Sequence, residues 1–326
     1  MLRIRHEVDG GPGLLHAEDA APPEAGAGEL LVQVEAVGVT LPTVRRLRDS
    51  REPLPLGGEI AGRVVATGPG VTSFAPGDRV TGLCFADAYA EFAVLPAAMA
   101  SRVPDDATAV EAVALVRSGL VARGAYEAAR VEPGESVLVT AAAGGVGTLA
   151  LQYARAGGAG RVVAAVGSAA KADFVRSLGA DEVVTYQDLD RHGPYDAILD
   201  GVGGDLLPTA VRALATGGRL VAYSSGGGTV EAYELLLRGA SVIGFQIRAI
   251  AVGRPGLYAR WRADLWHRRA AGTLRPAVHA ELPLTAAAHA HTLIERRRNL
   301  GKVVLVPGAP SPRTAPGGRR DPKERA

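Results

Sequence analysis

Ser136-Val-Leu-Val-Thr-Ala-Ala-Ala-Gly-Gly-Val-Gly147 is the stretch on which the reading of this chain turns. Val137, Leu138 and Val139 form a short apolar run, the pattern of a parallel strand covered by helices on both faces. Gly144, Gly145 and Gly147 then allow a tight turn, close approach of a phosphate to the backbone and close packing of the next helix on its strand. Free N–H groups and the positive end of the helix dipole would face the anion. The spacing Ala142-x-Gly144-x-x-Gly147 is a variant of the dinucleotide fingerprint, with alanine at the first glycine. Taken alone it also suits a tight connection with no ligand.

The flanking sequence favours the nucleotide. Thr148 to Ala156 is alanine-rich and helix-permissive, and Arg161 to Val166 is a second β-branched run, together a strand–helix–strand unit with a right-handed crossover. Glu182 to Tyr186, Asp196 to Asp200, Gly218 to Tyr223 and Ser241 to Phe245 read as further strands, with Leu206 to Ala215 as a helix. The alternation predicts an α/β domain with a doubly wound parallel sheet of the Rossmann type. An NAD site places a carboxylate at the end of the second strand, whereas here Gly167 and Ser168 stand there, with Lys171 one turn on. A hydroxyl and an ammonium can receive the extra phosphate of NADP, so NADPH is the expected cofactor. The plainer alternative is that Lys171 is a solvated helix residue.

A chain of 326 residues exceeds what one core usually supports, so two domains are expected. Formal charge is +2, and the basic residues form no stripe interleaved with aromatics, which argues against nucleic acid as a partner. The single cysteine, Cys84, has no internal disulfide partner and fits a reducing compartment. Met1 to Gly10 lacks the apolar core of a signal peptide, and no stretch reaches the ~18 apolar residues of a membrane span. A soluble, cytoplasmic protein is the expectation.

Residues 1–115 have a different texture from the middle. Leu30 to Val39 is near-alternating, Gly62 to Gly68 is strand-like, and Pro76-Gly77-Asp78 marks a turn before Arg79 to Gly82. These short strands predict an irregular β-rich domain. Residues 116–260 then hold the nucleotide-binding domain. Residues 261–306, with a helix-permissive stretch from Arg260 to Gly272 and a strand at Gly301 to Val306, are expected to rejoin the first domain. Residues 307–326, rich in Pro, Gly, Arg and Ser, read as a disordered tail.

Leu56-Gly-Gly-Glu-Ile-Ala-Gly62, Gly77-Asp-Arg-Val80, Tyr89-Ala-Glu-Phe92, Gly119-Leu-Val-Ala122, Ala141-Ala-Ala-Gly-Gly-Val-Gly147 and Gly301-Lys-Val-Val-Leu305 follow one another at compatible spacing. In this order they resemble the medium-chain dehydrogenase/reductase superfamily, and within it the zinc-independent quinone oxidoreductases, with which enoyl reductase domains of polyketide synthases are grouped. The resemblance covers about residues 1–306 and implies a GroES-like catalytic domain joined to the Rossmann domain, with the active site in the cleft between them. It further implies a homodimer formed through the sheet edge near Ala240 to Gln246, a strand that the sequence alone would place as readily in the interior.

Zinc-dependent relatives carry Gly-His-Glu where this chain has Gly57-Gly58-Glu59, and a four-cysteine lobe where it has at most Cys84. A catalytic zinc needs three protein ligands, so no metal is expected, and Glu59 is expected to hold a basic residue. Seven histidines show no ligand spacing; His289 and His291, two apart, would lie on different faces of a helix. Without a metal, hydride delivery to a quinone or an enone fits better than alcohol oxidation, since the developing charge is spread over a conjugated oxygen.

Carried over position by position, the resemblance implies Ala143, Gly144, Gly145, Val146 and Gly147 for the pyrophosphate turn and Ser168, Lys171 and Tyr186 for the adenosine-phosphate end. It also implies Ser224, Phe245, Ile247 and Arg297 along the rest of the cofactor. Tyr186 suits a packed strand position equally. The substrate side departs from the family pattern. Thr40 replaces an asparagine that approaches the nicotinamide, and no tyrosine follows Arg48. Thr40 and Tyr89 are the candidate catalytic residues, Tyr89 being equally suited to a strand. Arg45, Arg46 and Arg48 stand where they could line the entrance or form a solvated face. Three readings follow: an NADPH-dependent reductase of small quinones or α,β-unsaturated carbonyls, an enoyl reductase acting in trans on carrier-linked thioesters, and an NADPH-binding sensor or scaffold without catalysis.

Overall fold

Two short strands, β1 (Leu2–Glu7) and β2 (Leu14–Asp19), pair antiparallel at the amino end. The computed structural model describes residues 1–8 and 14–308, so the expected tail lies almost wholly outside the described residues. β3 (Glu29–Val39) alternates buried and half-exposed positions over its first half and is buried throughout its last four residues. That change marks where the strand passes from the domain's edge to its centre. It leads into helix α1 (Leu41–Asp49), then β4 (Gly58–Thr67), β5 (Arg79–Cys84), β6 (Phe92–Pro96) and β7 (Ser101–Arg102). These strands build an irregular, largely antiparallel sheet in which β3 pairs with both β4 and β6. Cys84 lies inside this sheet's core, and burial pushes its thiol up to about 12, so it is unreactive.

Helix α2 (Ala109–Ala129) opens with a capping box: Thr108 accepts from the Glu111 amide, and the Glu111 carboxylate accepts from the Thr108 amide. Thirteen of its residues are buried, because it packs on strands of both domains. The boundary placed at 115/116 falls inside this helix.

The nucleotide-binding sheet follows. β8 (Ser136–Val139), helix α3 (Gly145–Ala156) and β9 (Arg161–Val166) form the first strand–helix–strand unit. Helix α4 (Ala172–Arg176), β10 (Glu182–Thr185), β11 (Tyr195–Asp200), helix α5 (Leu206–Arg212), β12 (Leu214–Ala222), helix α6 (Ala232–Arg238) and β13 (Ser241–Gly244) complete it. All neighbours are parallel, in the order β10-β9-β8-β11-β12-β13. Chain order therefore reverses between β8 and β11, and the crevice above that point is where this topology binds ligands.

Helices α7 (Ile247–Gly253) and α8 (Pro255–Ala270) return the chain, and the boundary at 260/261 lies within α8. Trp261 and Leu265 of α8 are buried in the core of the nucleotide-binding domain, while Trp266 donates to Ser101 on the other side. β14 (Val278–Pro283), helix α9 (Ala287–Glu295) and β15 (Lys302–Val306) close the first domain, with β15 antiparallel to β3. β14 and β15 thus share one sheet with β3, β4, β5 and β7, strands from before the nucleotide-binding sheet.

Candidate functional site

A cavity of about 520 Å³ lies between the two domains, above the switch point. Its floor is the glycine turn. Ala141 adopts a left-handed conformation (φ 49°), and Gly144 caps α3. A side chain on Gly147 would stand 2.3 Å from the Ala141 carbonyl oxygen and 2.7 Å from the Ala142 Cα, so only glycine lets the helix lie this close to its strand. The first turn of α3 leaves the amides of Gly145, Val146 and Gly147 without helical partners, aimed into the cavity. Ala142, fully buried, donates to Ala165 of β9, so alanine suffices at the position of the first glycine.

Beside the turn, Asp200 organises the crevice. It is fully buried and accepts from Thr140 Oγ1 at 2.7 Å and from the amides of Val202 (3.1 Å) and Gly203 (2.9 Å). Ser224 secures the same loop by donating to the Val202 carbonyl at 2.8 Å. Sequence reading missed the Thr140–Asp200 lock, although Asp200 at the end of a strand before Gly201, Gly203 and Gly204 was a signal for it. Tyr223 also lines the cavity. Its hydroxyl is buried without a partner among the described residues, and burial, then Asp200 and Tyr186, raises its pKa.

Ser168, Lys171, Tyr186 and Arg297 meet at one end of the cavity. Ser168 caps the short turn after β9 and is exposed. Tyr186 packs over Gly167, where an added Cβ would lie 3.6 Å from its ring. Lys171 donates to the carbonyls of Arg297 (2.6 Å) and Asn299 (3.1 Å), which ties the nucleotide-binding domain to the first domain. Burial and the nearby Arg297 charge lower its pKa. It is therefore no freely solvated lysine, and its ammonium already has two neutral acceptors that an anion would join or displace.

The facing wall comes from the first domain. Glu59, 1% exposed, binds Lys302 (Nζ to Oε2, 2.5 Å) and Arg117 (Nη1 to Oε1, 3.0 Å). It thus holds two basic residues. Lys302 is 5% exposed; burial pulls its pKa down and Glu59 opposes that pull. Arg117 had not been singled out, and Lys302 only as a member of the Gly301–Leu305 motif, because neither carries a local signal for pairing with Glu59. Arg45 lines the cavity and donates to Ser225 across the cleft at 3.3 Å, whereas Arg46 caps the Pro55 carbonyl and Arg48 pairs with Asp49.

Four candidates sit differently from their expected roles. Thr40 lines the cavity, but its hydroxyl caps α1: it accepts from the Thr43 amide at 3.3 Å and contacts Thr43 Oγ1 at 3.0 Å. Since Thr43 Oγ1 donates to the Gly57 carbonyl, Thr40 must be the donor in that contact, and its proton is spent. Tyr89 is fully buried in the first domain's core, 3.1 Å from His291 Nε2, and does not line the cavity. Phe245 packs on Trp261, with ring centroids 6.3 Å apart, and against Gly124, while Ile247 is buried at the start of α7. Neither of these side chains lines the cavity, because β13 ends at Gly244 and the chain turns into the core.

Among the described residues, no three His, Cys, Asp or Glu side chains gather as a metal site would require. No described helix is long and apolar enough to cross a membrane.

Comparison with known proteins agrees with this geometry. Residues 26–105 match the family described as alcohol dehydrogenase GroES-like domain, and residues 145–261 match zinc-binding dehydrogenase. The chain is 32% identical over 335 residues to a quinone oxidoreductase of Pseudomonas aeruginosa, covering 94% of this chain and 99% of that protein. It is 34% identical over 295 residues to the polyketide synthase GfsB of Streptomyces halstedii, which takes in 87% of this chain and only 5% of the synthase. The solved structure of mycobacterial Rv1454c complexed with NADPH superposes with a TM-score of 0.86 at 31% identity, covering 94% of this chain and all of the other. With both halves matched and the cleft built as described, the chain belongs to the medium-chain dehydrogenase/reductase superfamily, in its quinone oxidoreductase branch.

Proposed function

We propose that this chain is an NADPH-dependent, zinc-independent oxidoreductase that delivers hydride to a quinone or an α,β-unsaturated carbonyl compound. One observation carries the reading: the interdomain cavity is lined by six basic side chains and, among the described residues, by no acidic one. Such a surface suits a ligand with a diphosphate and a further phosphate. The glycine turn offers amides to the diphosphate. Ser168, Lys171, Tyr186 and Arg297 stand together for the 2′-phosphate, where a carboxylate selective for NAD is missing. Tyr223 lines the same crevice, its hydroxyl buried behind the surface without a partner among the described residues. When bound, the reduced nicotinamide supplies the hydride. The relatives support the same cofactor, Rv1454c having been solved with NADPH.

The protein's share of the reaction is to orient the acceptor and exclude water. Likeness to a segment of a polyketide synthase keeps a second acceptor class in play, enoyl thioesters carried on a partner. The exposed Tyr233, Leu236 and Leu237 of α6, beside the edge strand β13, support pairing of two copies through that edge. Cys84, the single and buried thiol, suits a reducing cytoplasmic setting.

Fluorescence titration with NADPH and NADH tests the cofactor, followed by turnover on free quinones, free enones and enoyl thioesters. NADPH should bind about tenfold or more tightly than NADH, and Lys171→Met should erase most of that difference. Equal affinities in the unaltered protein would remove the case for Lys171 and Ser168. NADPH binding without turnover on any acceptor would leave a sensor or scaffold as the function.

A further inference from the structure

The wall opposite the glycine turn holds more polar chemistry than cofactor binding requires. Ser118, on α2, is 1% exposed and lines the cavity, yet its hydroxyl makes no hydrogen bond among the described residues. One residue before it, Arg117 binds Glu59 through Nη1, leaving its other N–H groups for the cavity that it also lines. Lys302 takes the second Glu59 oxygen. Two cations against one carboxylate leave a net charge of +1 on a buried wall. Gly38 makes room for this cluster: a Cβ there would lie 2.7 Å from Glu59 Oε2 and from Lys302 Cε.

The position of each cation separates two roles. Lys302 and Ser118 both run past Gly145, where an added Cβ would stand 3.5 Å from Lys302 Cδ and 3.3 Å from Ser118 Oγ, so Lys302 lies beside the diphosphate turn and Ser118 at the junction of that turn with the wall that Arg117 continues. Its backbone is fixed there too, since Gly301 donates to the Ala143 carbonyl at 2.8 Å. Arg117 reaches the other way, to Glu59 on β4, whose partner in β3 is Gly38, two residues before Thr40. A cofactor held by its adenosine end at Ser168, Lys171 and Tyr186 and by its diphosphate at the turn would leave Arg117, on the opposite side of the same cavity, to face its reacting end.

We propose that Ser118 and Arg117, held in place by Glu59 and Lys302, form the site that receives the acceptor's carbonyl oxygen as it gains negative charge. This rests on the reductase reading. Hydride addition to the β-carbon of an enone forms a C–H bond there, moves the C=C electron pair toward the carbonyl and leaves a full negative charge on its oxygen. The coenzyme is oxidised, the enone is reduced, and a proton from water at the α-carbon completes the product. A fixed guanidinium and a free hydroxyl stabilise that oxygen without reorganising. Arg117 supplies here the charge that a bound metal supplies in a Lewis-acid site.

The test uses the full chain loaded with NADP⁺ and p-nitrophenol as the probe, whose absorbance reports its ionisation. The unaltered protein should bind the phenolate form and lower the probe's apparent pKa by about one unit or more, a tenfold preference. Ser118→Ala and Arg117→Met should abolish that shift and lower kcat on 2-cyclohexenone about a hundredfold, with NADPH affinity within about twofold of the original. Arg117→Lys should restore part of both, which separates the charge from a purely structural role. If Arg117→Met fails to fold by circular dichroism, the Ser118→Ala result decides. An unshifted probe in a protein that binds NADPH overturns this proposal alone. Variants that weaken NADPH and leave kcat unchanged also overturn it, and assign the cluster to the diphosphate. Absence of NADPH binding by the unaltered chain overturns the reductase reading, and this site with it.

Discussion

On the nucleotide side of the cleft, the turn at Ala143–Gly147 offers its ligand backbone amides, whereas the facing wall at Glu59, Arg117, Ser118 and Lys302 offers side-chain charge. The first is a local device. Its geometry follows from where side chains are missing, so twelve consecutive residues specify it and glycine content reveals it. The second is assembled from β4, α2 and β15. Each member alone is an ordinary charged residue or serine, and only the closed fold makes it costly to remove. A backbone site should therefore fail through a clash at one position, and a side-chain site through loss of charge balance at several.

The largest effect expected from this contrast is at Glu59. Glu59→Ala leaves the buried Lys302 and the partly exposed Arg117 without their counter-charge and should cost about 3–5 kcal/mol in urea denaturation. A loss under about 1 kcal/mol would mean that water already screens the cluster, and the wall would then be no fixed charge site. Next comes acid sensitivity behind that wall. Burial, then the nearby His6, lowers the His291 pKa to about 4, below the 6.5 of an unfolded histidine. The unfolded chain therefore takes up the proton first as pH falls. Stability present above about pH 6.5 should decline toward pH 4 by about 3 kcal/mol, 2.5 units at ~1.36 kcal/mol each. Denaturation midpoints at pH 7 and pH 5 check this, and His291→Gln should flatten the difference. On the backbone side, Gly147→Ala drives a Cβ into the Ala141 carbonyl and should cost about 1–3 kcal/mol. NADPH affinity should fall by about tenfold or more as the turn shifts. A tight-binding, fully stable Gly147→Ala protein would show that the turn tolerates displacement and would remove the distinction between the two walls.

Legibility in the sequence followed the same division. The parallel strands and the glycine turn could be placed from periodicity to within a few residues, because each depends on short-range pattern. Helix α2 was not recognised, since its apolar residues surround it on all sides and give no amphipathic stripe. Thr40 lines the cavity, but its proton is committed through Thr43 to the Gly57 carbonyl, a bond between segments that no local pattern encodes. Tyr89 and Phe245 stood at motif positions, yet their side chains complete the packing of the two cores. Family pattern fixes a residue's place in the chain, while its rotamer and partners depend on what packs against it.

What the amino-acid sequence by itself determined is the nucleotide-binding turn, the alternation of strand and helix around it, and the replacement of the zinc-binding histidine position by Gly58. These are local properties of backbone freedom, hydrophobic period and missing donor atoms. Only the tertiary structure decided which charges face one another across the cleft. Coulomb energy and desolvation depend on distance and burial, and both are set when β15 returns to pair with β3 and carries Lys302 to Glu59.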